Sequence, residues 1–344
     1  MYELLKALAL KAGAAYPNPY WTKAMNAHEL IAESTAPRCQ IVTDDAVEIL
    51  RYARESFNAR IPVALVTLVD IRGGAARPLG AQMAVRLDGL YCGFVSGGCT
   101  ETAVAFEALE ALRSGHDRFL RLGEGSPFFD IVLPCGGGIQ LSIHVVRETA
   151  AIGKVLAQLA RREEAGFLYD PGSEAISYVS SGLTGWQPGG FMRIFRPSTR
   201  LIVSGNALEA NAVAQVARAI GYDVEFFGKS FEKNVRDVSP DKYSAFVLLN
   251  HDLEAELPVL QAALNSPAFY IGALGSRRTH GRRRQALETL GYGEAEIDRI
   301  KAPIGIFDKA RDAPSLAVSV IADIAARVAA NFGETQASAV SSGG

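Results

Sequence analysis

Residues 200–221 have the sequence RLIVSGNALEANAVAQVARAIG, and this stretch decides the fold class of the second half of the chain. It joins a short apolar run to a glycine and then to a helical segment that a further glycine ends. Apolar runs follow at 223–227, 244–250 and 269–275, and the helical segment 255–265 separates the last two. Strands that alternate with helices of about 10–15 residues predict a parallel, doubly wound sheet.

The first half of the chain has a different pattern. Residues 62–71, PVALVTLVDI, predict a buried strand, and residues 81–98, AQMAVRLDGLYCGFVSGG, predict two strands across a turn at Asp88-Gly89. A helix is expected at 100–115, and residues 128–146, FFDIVLPCGGGIQLSIHVV, predict a strand, a glycine turn and a strand. The fold class is therefore α/β, with a mixed α/β domain before the Rossmann-like, doubly wound sheet.

These patterns divide the chain into five expected segments. They are an N-terminal helical extension at 1–60, a mixed α/β domain with glycine-cysteine loops at 61–148, a connecting helix and Gly/Pro/Ser-rich linker at 149–197, a Rossmann-like domain at 198–333 and a flexible tail at 334–344.

Composition limits the classes of function. The 344 residues carry a formal net charge of -2, which gives no general attraction to nucleic acid or to an anionic membrane. No apolar run reaches the roughly 18 residues of a membrane span, and the N-terminus does not resemble a signal peptide, so we expect a cytoplasmic protein. The four cysteines, Cys39, Cys92, Cys99 and Cys135, include no CxxC pair, which disfavours a structural zinc site.

Two loops combine glycines with a cysteine: VSGGCTE at 95–101 and LPCGGGIQ at 133–140. Successive glycines let backbone N–H groups form an anion-binding concavity, and the helix expected after Cys99 adds its positive N-terminal end. A thiol in that position gains thiolate character. The alternative is a tight turn with a packing cysteine. A favourable contact with the helix dipole suffices to explain Glu101.

The turn at Gly205 resembles a dinucleotide-binding turn only in part. Ala207 replaces the second glycine of that motif, and Gly228 and Lys229 stand where a ribose-binding acid is expected. These differences disfavour binding of NAD(P) at this turn.

A third group of residues is basic. The segment YIGALGSRRTHGRRR at 270–284 brings five arginines to the start of an expected helix after Ser276: Arg277, Arg278, Arg282, Arg283 and Arg284. Cations at a helix N-terminus oppose the helix dipole, so this pattern favours a bound anion. The alternative is a solvated basic face.

Together these motifs resemble the xanthine dehydrogenase accessory factor family of the XdhC/CoxI type. The resemblance extends from about Pro62 to Ala329 and is carried by PLGAQMAVRLDG, GFVSGGCTE, DIVLPCGGGIQL, NHDLEAELPVL, YIGALGSRRTHGRRR and APIGIFDKARDAPSLAVSVIADI. This chain differs from the family pattern at Gly73-Gly74-Ala75-Ala76-Arg77, where family members usually carry a Gly-Ser-Ser-Pro-Arg type loop.

The resemblance implies a maturation chaperone rather than a turnover enzyme. The expected cofactor is molybdenum cofactor (molybdopterin), held while its terminal sulfur ligand is installed. Delivery would be to an apo molybdenum hydroxylase of the xanthine dehydrogenase type. The expected partners also include a cysteine desulfurase and a second copy of the chain in a homodimer, but no nucleic acid or membrane.

The resemblance also implies a set of cofactor-binding residues and no catalytic residue. They are Ser96, Gly97, Gly98, Cys99, Glu101, Cys135, Gly136, Gly137, Gly272, Gly275, Ser276, Arg277 and Arg278. Cys99 or Cys135 is a candidate metal ligand, because soft thiolates ligate such centres. Two alternatives stay open: an NAD(P)-dependent oxidoreductase that uses the Rossmann-like domain, and an interaction scaffold that binds no cofactor.

Overall fold

The computed structural model describes residues 36–98, 100–124, 137–227, 239–307 and 309–332. The chain divides into two compact units. The first comprises residues up to 149 except 45–47 and 78–80, and the second comprises those two short segments and the residues from 150 on.

In the described residues, the first unit contains a six-stranded sheet and two helices. Its elements are β1 (Arg38–Ile41), α1 (Ala46–Asn58), β2 (Val63–Arg72), β3 (Gln82–Arg86), β4 (Leu90–Gly93), α2 (Glu101–Ser114), β5 (Arg118–Gly123) and β6 (Gly138–Val145). In the described residues the strand order is β1-β4-β3-β2-β6-β5. β1 pairs in parallel with β4, and the other pairs are antiparallel.

The predicted strand at 62–71, the hairpin, the helix after Thr100 and the strand after the glycine turn are confirmed, and the N-terminal prediction is wrong in part. The strand and glycine turn expected over 128–136 lie outside the described residues. β3 and β4 form the expected hairpin across Asp88-Gly89, and α2 ends at Gly115, whose φ of 74° is the left-handed conformation expected of a terminating glycine. Residues 38–41, expected in a helical extension, instead form β1. Their half-buried and exposed residues alternate as in an edge strand, and pairing with β4 satisfies their backbone groups.

The segments that follow β2, β4 and β5 lie at one edge of this sheet, because these three strands run in the same direction. β2, β4 and β5 all run the same way, because β3 lies antiparallel between β2 and β4 and β6 lies antiparallel between β2 and β5. The segments that follow these three strands therefore leave the sheet at the same edge, where β6 begins. We call this edge, with the described residues 73–77, 94–98, 100 and 137–138, the loop edge.

Both helices contact this sheet. α2 packs Val104, Ala105 and Ala108 against the face that carries Val66 and Met83. On α1, Ile49 approaches the backbone of Gly93, where a methyl group would lie 2.7 Å from the Ile49 side chain. These contacts fix the end of β4 from which the VSGGCTE loop starts.

The second unit contains two sheets. Its elements are α3 (Ala150–Ala160), β7 (Ala165–Asp170), β8 (Ala175–Val179), β9 (Gly185–Gln187), β10 (Gly190–Phe195), β11 (Arg200–Gly205), α4 (Ala207–Ala219), β12 (Asp223–Phe227), β13 (Ser244–Leu249), α5 (Leu253–Leu264), β14 (Tyr270–Ala273), α6 (Arg277–Thr289), α7 (Glu294–Ile297), β15 (Ile300–Lys301) and α8 (Ala313–Phe332).

The predicted doubly wound sheet is confirmed. In the described residues its strands are all parallel, in the order β12-β11-β13-β14-β15. α4 and α8 pack on one face through residues such as Val213 and Val320, and α5, α6 and α7 pack on the other through residues such as Leu260 and Leu287. This is the arrangement of a Rossmann-like fold.

The segment expected to be a linker is folded. After α3, β8-β7-β10-β9 form an antiparallel sheet within residues 165–195. The turn-forming residues of this segment form tight turns between its strands. In the turn between β7 and β8, Asp170 accepts hydrogen bonds from the N–H of Gly172 and the hydroxyl of Ser173. Phe167 and Phe191 are buried, which a linker would not require.

Helix α8 is the described helix that is long and apolar enough to span a membrane. Leu316, Ala317, Val320 and Ile324 of this helix lie in the core beside the parallel sheet. Packing in the core therefore accounts for its apolar composition.

Candidate functional site

The glycine loop after β2 contacts both glycine-cysteine loops at the loop edge. A methyl group on Gly97 would lie 3.1 Å from the Cβ atom of Ala76. A methyl group on Gly137 would lie 2.4 Å from the carbonyl oxygens of Arg72 and Gly74, which is closer than any side-chain atom can come. Residues 73–77 thus lie between the described parts of the two loops.

Three of the predicted site residues, Cys99, Cys135 and Gly136, lie outside the described residues. Their described neighbours are Gly98, Thr100 and Gly137. Gly98 is exposed, and a methyl group there would meet nothing within 4 Å, so the backbone on this side of the loop faces open space. The loop edge therefore combines close backbone packing with an open, glycine-lined surface.

The predicted anion concavity of the VSGGCTE loop is formed, and the carboxylate of Glu101 fills it. The Glu101 oxygens accept hydrogen bonds from the backbone N–H groups of Val95 (3.1 Å), Ser96 (2.8 Å), Gly97 (3.2 Å), Gly98 (2.9 Å) and Thr100 (3.2 Å). The Ser96 hydroxyl donates a further bond of 2.8 Å. Glu101 is 1% exposed, so it supports the loop from inside.

These hydrogen bonds keep Glu101 ionised. Burial alone would raise the pKa of the Glu101 carboxyl, but the hydrogen bonds from Ser96, Val95 and the loop backbone outweigh burial and hold this pKa below its ordinary value. The backbone N–H groups around Gly97 and Gly98 therefore already have an anionic partner within the chain.

The other two cysteines are not exposed ligands. The thiol of Cys39 on β1 donates to the carbonyl oxygen of Ile41 at 3.2 Å, and burial raises its pKa. Cys92 on β4 is buried. No group of three or more His, Cys, Asp or Glu side chains suited to a metal ion occurs among the described residues.

In the second unit, the first glycine of the turn after β11, Gly205, packs closely against the backbone of the neighbouring strand. A methyl group on Gly205 would lie 2.4 Å from the carbonyl carbon of Leu249 on the neighbouring strand. Ala207 is the first residue of α4, and one carboxylate oxygen of Glu209 in the first turn is buried without a hydrogen-bond partner in the described structure. A carboxylate in this position disfavours a dinucleotide phosphate.

The arginine group at the start of α6 divides into two sets. Arg283 is 0% exposed and forms a bidentate ion pair with Glu256, while its Nη2 also donates to the carbonyl oxygen of Leu274 at 2.9 Å. Arg284 pairs with Asp298 at 2.5 Å. Arg283 and Arg284 therefore pair with carboxylates of this chain and need no bound anion to balance their charge.

The remaining arginines of this group, Arg277, Arg278 and Arg282, are exposed. Ser276 caps the helix as predicted, because its hydroxyl oxygen accepts the N–H of Thr279 at 3.2 Å. Gly272 is buried within β14, where a methyl group would lie 2.6 Å from the Ile304 side chain. Gly272 therefore packs inside the sheet and does not face solvent. Ser276, Arg277 and Arg278 are exposed to solvent.

Sequence reasoning did not find the contribution of the loop after β2. The sequence contains this loop as Gly73-Gly74-Ala75-Ala76-Arg77, which differs from the Gly-Ser-Ser-Pro-Arg type loop of the family. Arg77 follows the residue that contacts Gly97, and its Nη1 lies 2.9 Å from Asp44. Only the pairing directions of β2, β4 and β5 show that this loop lies at the same edge of the sheet as the VSGGCTE loop.

These features define an α/β protein with a glycine-loop unit and a Rossmann-like unit. The XdhC Rossmann domain model matches residues 201–324, and the XdhC and CoxI family model matches residues 57–123. The chain is 52% identical to the molybdenum cofactor insertion chaperone PaoD of Escherichia coli strain K12 over 290 aligned residues. The alignment covers 84% of this chain and 91% of that protein. The chain therefore belongs to the XdhC and CoxI family.

Two further comparisons concern less similar proteins. The chain is 30% identical to the Escherichia coli protein YqeB over 76% of this chain and 43% of that protein. A crystal structure described as a xanthine dehydrogenase from Bacillus halodurans shares the fold, with a TM-score of 0.65 and 19% identity over 86% of this chain and 98% of that one.

Proposed function

We propose that this protein binds molybdenum cofactor and supports its insertion into a molybdenum hydroxylase of the xanthine dehydrogenase type. The observation that carries the proposal is the contact of residues 73–77 with both Gly97 and Gly137, which supports one site for the two glycine-cysteine loops. The relative with 52% identity is itself a molybdenum cofactor insertion chaperone.

The residues at the loop edge suit the chemistry of this cofactor. Gly98, which is exposed and open on its side-chain side, allows the close approach of a flat pterin, and the guanidinium of Arg77 supplies a positive charge. Cys99 or Cys135 would supply a soft thiolate near the metal and its sulfur ligands. When bound, the cofactor supplies the oxygen-transfer chemistry of the enzyme that receives it.

The role of the second unit follows from its exposed basic residues. Arg277 and Arg278, beside the cap residue Ser276, are proposed to contact an anionic group of the cofactor or acidic residues of a partner. Gly272 and Gly275 are proposed to shape this turn, in which Gly275 has a φ of 126°. The protein would act as a carrier without a turnover step of its own.

Several finer features belong to the same proposal. Installation of the terminal sulfur ligand would require a cysteine desulfurase as a partner, the receiving partner would be the apo hydroxylase, and the protein would work as a homodimer in the cytoplasm. The family membership and the 52% identical chaperone support this setting.

Co-elution of molybdenum cofactor with the purified protein tests the proposal. Wild-type protein and Cys39→Ala are expected to retain the cofactor through gel filtration, while Cys99→Ala and Cys135→Ala lose most of it. Cys39 is the matched control because its thiol is held by Ile41 on β1. Absence of cofactor from the wild-type peak would contradict the proposal, and saturable quenching of intrinsic fluorescence by NADH instead would favour the oxidoreductase alternative.

The scaffold alternative makes a separate prediction in a maturation assay. If the protein only holds partners together, Cys99→Ala and Cys135→Ala would support activation of the apo hydroxylase as well as the wild type does. We expect both variants to fail in that assay while still binding the apo hydroxylase.

A further inference from the structure

The inference starts from the charge balance of the loop edge. In the loop of residues 95–101, the backbone N–H groups that would otherwise bind an anion already donate to the Glu101 carboxylate. That carboxylate is buried and ionised, so it also places a negative charge beneath the loop. An anionic ligand at this edge therefore needs a positive side chain outside residues 95–101.

Arg77 is placed to supply that charge. It directly follows Ala76, which contacts Gly97, and it ends the segment whose Gly74 contacts Gly137. Its side chain is 29% exposed, so the guanidinium is partly shielded and still reachable by a ligand. In the described part of the chain, its Nε atom is buried without a hydrogen-bond partner. Because protein atoms cover Nε, a ligand would meet the exposed part of the Arg77 side chain.

The neighbouring cations are less suited to this task. Arg72 at the end of β2 lies 3.6 Å from Asp70, and its side chain is 52% exposed, so water screens it more strongly. Arg121 on β5 donates to Gln140 at 3.2 Å. Arg77 combines partial burial, which limits screening by water, with an ion-pair partner that is itself mostly exposed.

The partner of Arg77 is a loosely held carboxylate. Asp44, which follows β1, lies 2.9 Å from Nη1 of Arg77, but its side chain is 73% exposed. An ion pair that is this open to water contributes little to stability. It holds the guanidinium in place and at the same time reduces the net positive charge that a ligand would meet.

We infer that Arg77 is the anion-binding residue of the loop edge and that it contacts a phosphate monoester, the anionic group of a pterin phosphate. This inference rests on the proposed function and extends it, since it assigns an anion contact to the first unit. Glu101 shapes the loop, Arg77 binds the phosphate, and Asp44 opposes that binding electrostatically.

Two substitutions in the one ion pair separate this role from a structural one. The retention of molybdenum cofactor is measured by equilibrium dialysis, with inorganic phosphate as a competitor. Arg77→Gln is expected to weaken retention about tenfold or more, because a charge-assisted hydrogen bond is lost, and Arg77→Lys is expected to weaken it less. Asp44→Asn is expected to strengthen retention about two- to fivefold, because it removes the opposing charge.

A purely structural ion pair would give losses of retention in both Arg77→Gln and Asp44→Asn. Arg113→Gln is the matched control, because Arg113 pairs with Glu110 one turn away on the exposed face of α2, and we expect it to leave retention unchanged. Equal retention by wild type and Arg77→Gln would overturn the inference and leave the proposed function standing. Loss of retention in Arg278→Gln but not in Arg77→Gln would overturn it as well.

Failure of wild-type protein to retain the cofactor at all would overturn the proposed function and this inference together. Weaker competition by inorganic phosphate against Arg77→Gln than against wild type is expected, since the phosphate contact is then already lost. If Arg77→Gln does not fold, the gain expected for Asp44→Asn still decides the question, because a structural role predicts a loss.

Discussion

At the scale of single residues, Glu101 shows how one side chain converts a flexible glycine loop into a defined surface. Glycines at 97 and 98 have φ angles of 95° and 110°, which other residues rarely adopt. Such a backbone would be poorly ordered without an acceptor for its N–H groups. The Glu101 carboxylate provides that acceptor at distances of 2.8–3.2 Å.

Replacement of Glu101 by glutamine measures this contribution. We expect Glu101→Gln to lower the free energy of unfolding by about 2 kcal/mol or more, because one oxygen becomes an NH₂ group that faces buried N–H donors. Urea unfolding followed by circular dichroism gives the value. Glu110→Gln, on the exposed face of the same helix, is the control and is expected to change stability by less than about 0.5 kcal/mol.

The same carboxylate makes a pH-dependent contribution. Its pKa in the folded state lies below the ordinary value of 4.5, so its stabilising effect is fully present above that value. The effect is lost as the pH falls through the lowered folded pKa. We therefore expect the stability difference between wild type and Glu101→Gln to be constant near neutral pH and to shrink in that acidic range. A difference that stays unchanged on acidification would contradict this account.

Gly137 permits a backbone contact that no other residue allows. Gly137→Ala places a methyl group 2.4 Å from two carbonyl oxygens, and we expect it to destabilise the first unit by about 2 kcal/mol or more. Gly281→Ala is the control, because Gly281 lies in α6 with no atom within 4 Å of an added methyl group. That change is expected to stabilise the helix by about 0.5–1 kcal/mol. Thermal unfolding of both variants tests the contrast.

At the scale of elements, the ion pair of Arg283 and Glu256 joins helices α5 and α6 to the end of β14. Both side chains are nearly inaccessible to water, at 0% and 2% exposure, and Arg283 also holds the carbonyl oxygen of Leu274. The pKa of Glu256 is raised because burial outweighs its attraction to Arg283. This pair fixes the strand end that precedes Ser276 and the exposed arginines.

Removal of one partner of this pair should be costly. Arg283→Met leaves a buried carboxylate without its counter-charge, and we expect a loss of about 3–5 kcal/mol in the stability of the second unit. The double substitution Arg283→Met with Glu256→Leu is expected to recover a large part of that loss, because no charge is then buried. Urea unfolding of the single and double variants measures both values. Equal stability of the two variants would contradict the proposed cause.

The elements predicted from the sequence are those with local signals. The hairpin at Asp88-Gly89, the end of α2 at Gly115 and the parallel strands of the second unit each depend on neighbouring residues. Strand β1 and the sheet of residues 165–195 were not predicted, because their pairing partners lie elsewhere in the chain or are separated by turn-rich segments.

The candidate site divides in the same way. The VSGGCTE loop and its anion concavity were predicted from glycine spacing, but the identity of the bound anion was not. Glu101 turns its carboxylate back onto the loop that precedes it, which no spacing rule indicates. The contact of Ala76 with Gly97 joins residues from different strands, so only the folded sheet brings Arg77 to the site.

At the scale of the whole molecule, the two units divide the proposed work. The first unit carries the loop edge with its glycines and arginine, and the second is a Rossmann-like unit whose Gly205 turn contains Ala207 and a buried Glu209 oxygen. A dinucleotide phosphate is disfavoured there. The described residues therefore favour binding of molybdenum cofactor at the loop edge.

Hydrogen–deuterium exchange of the intact protein, with and without molybdenum cofactor, tests that claim most directly. The N–H groups that donate to Glu101 are expected to exchange slowly in either state, so the informative segments are 73–77 and 137–138. The account predicts that exchange in both segments slows about tenfold or more when the cofactor binds. Unchanged exchange in both segments, in protein that demonstrably retains the cofactor, would contradict it.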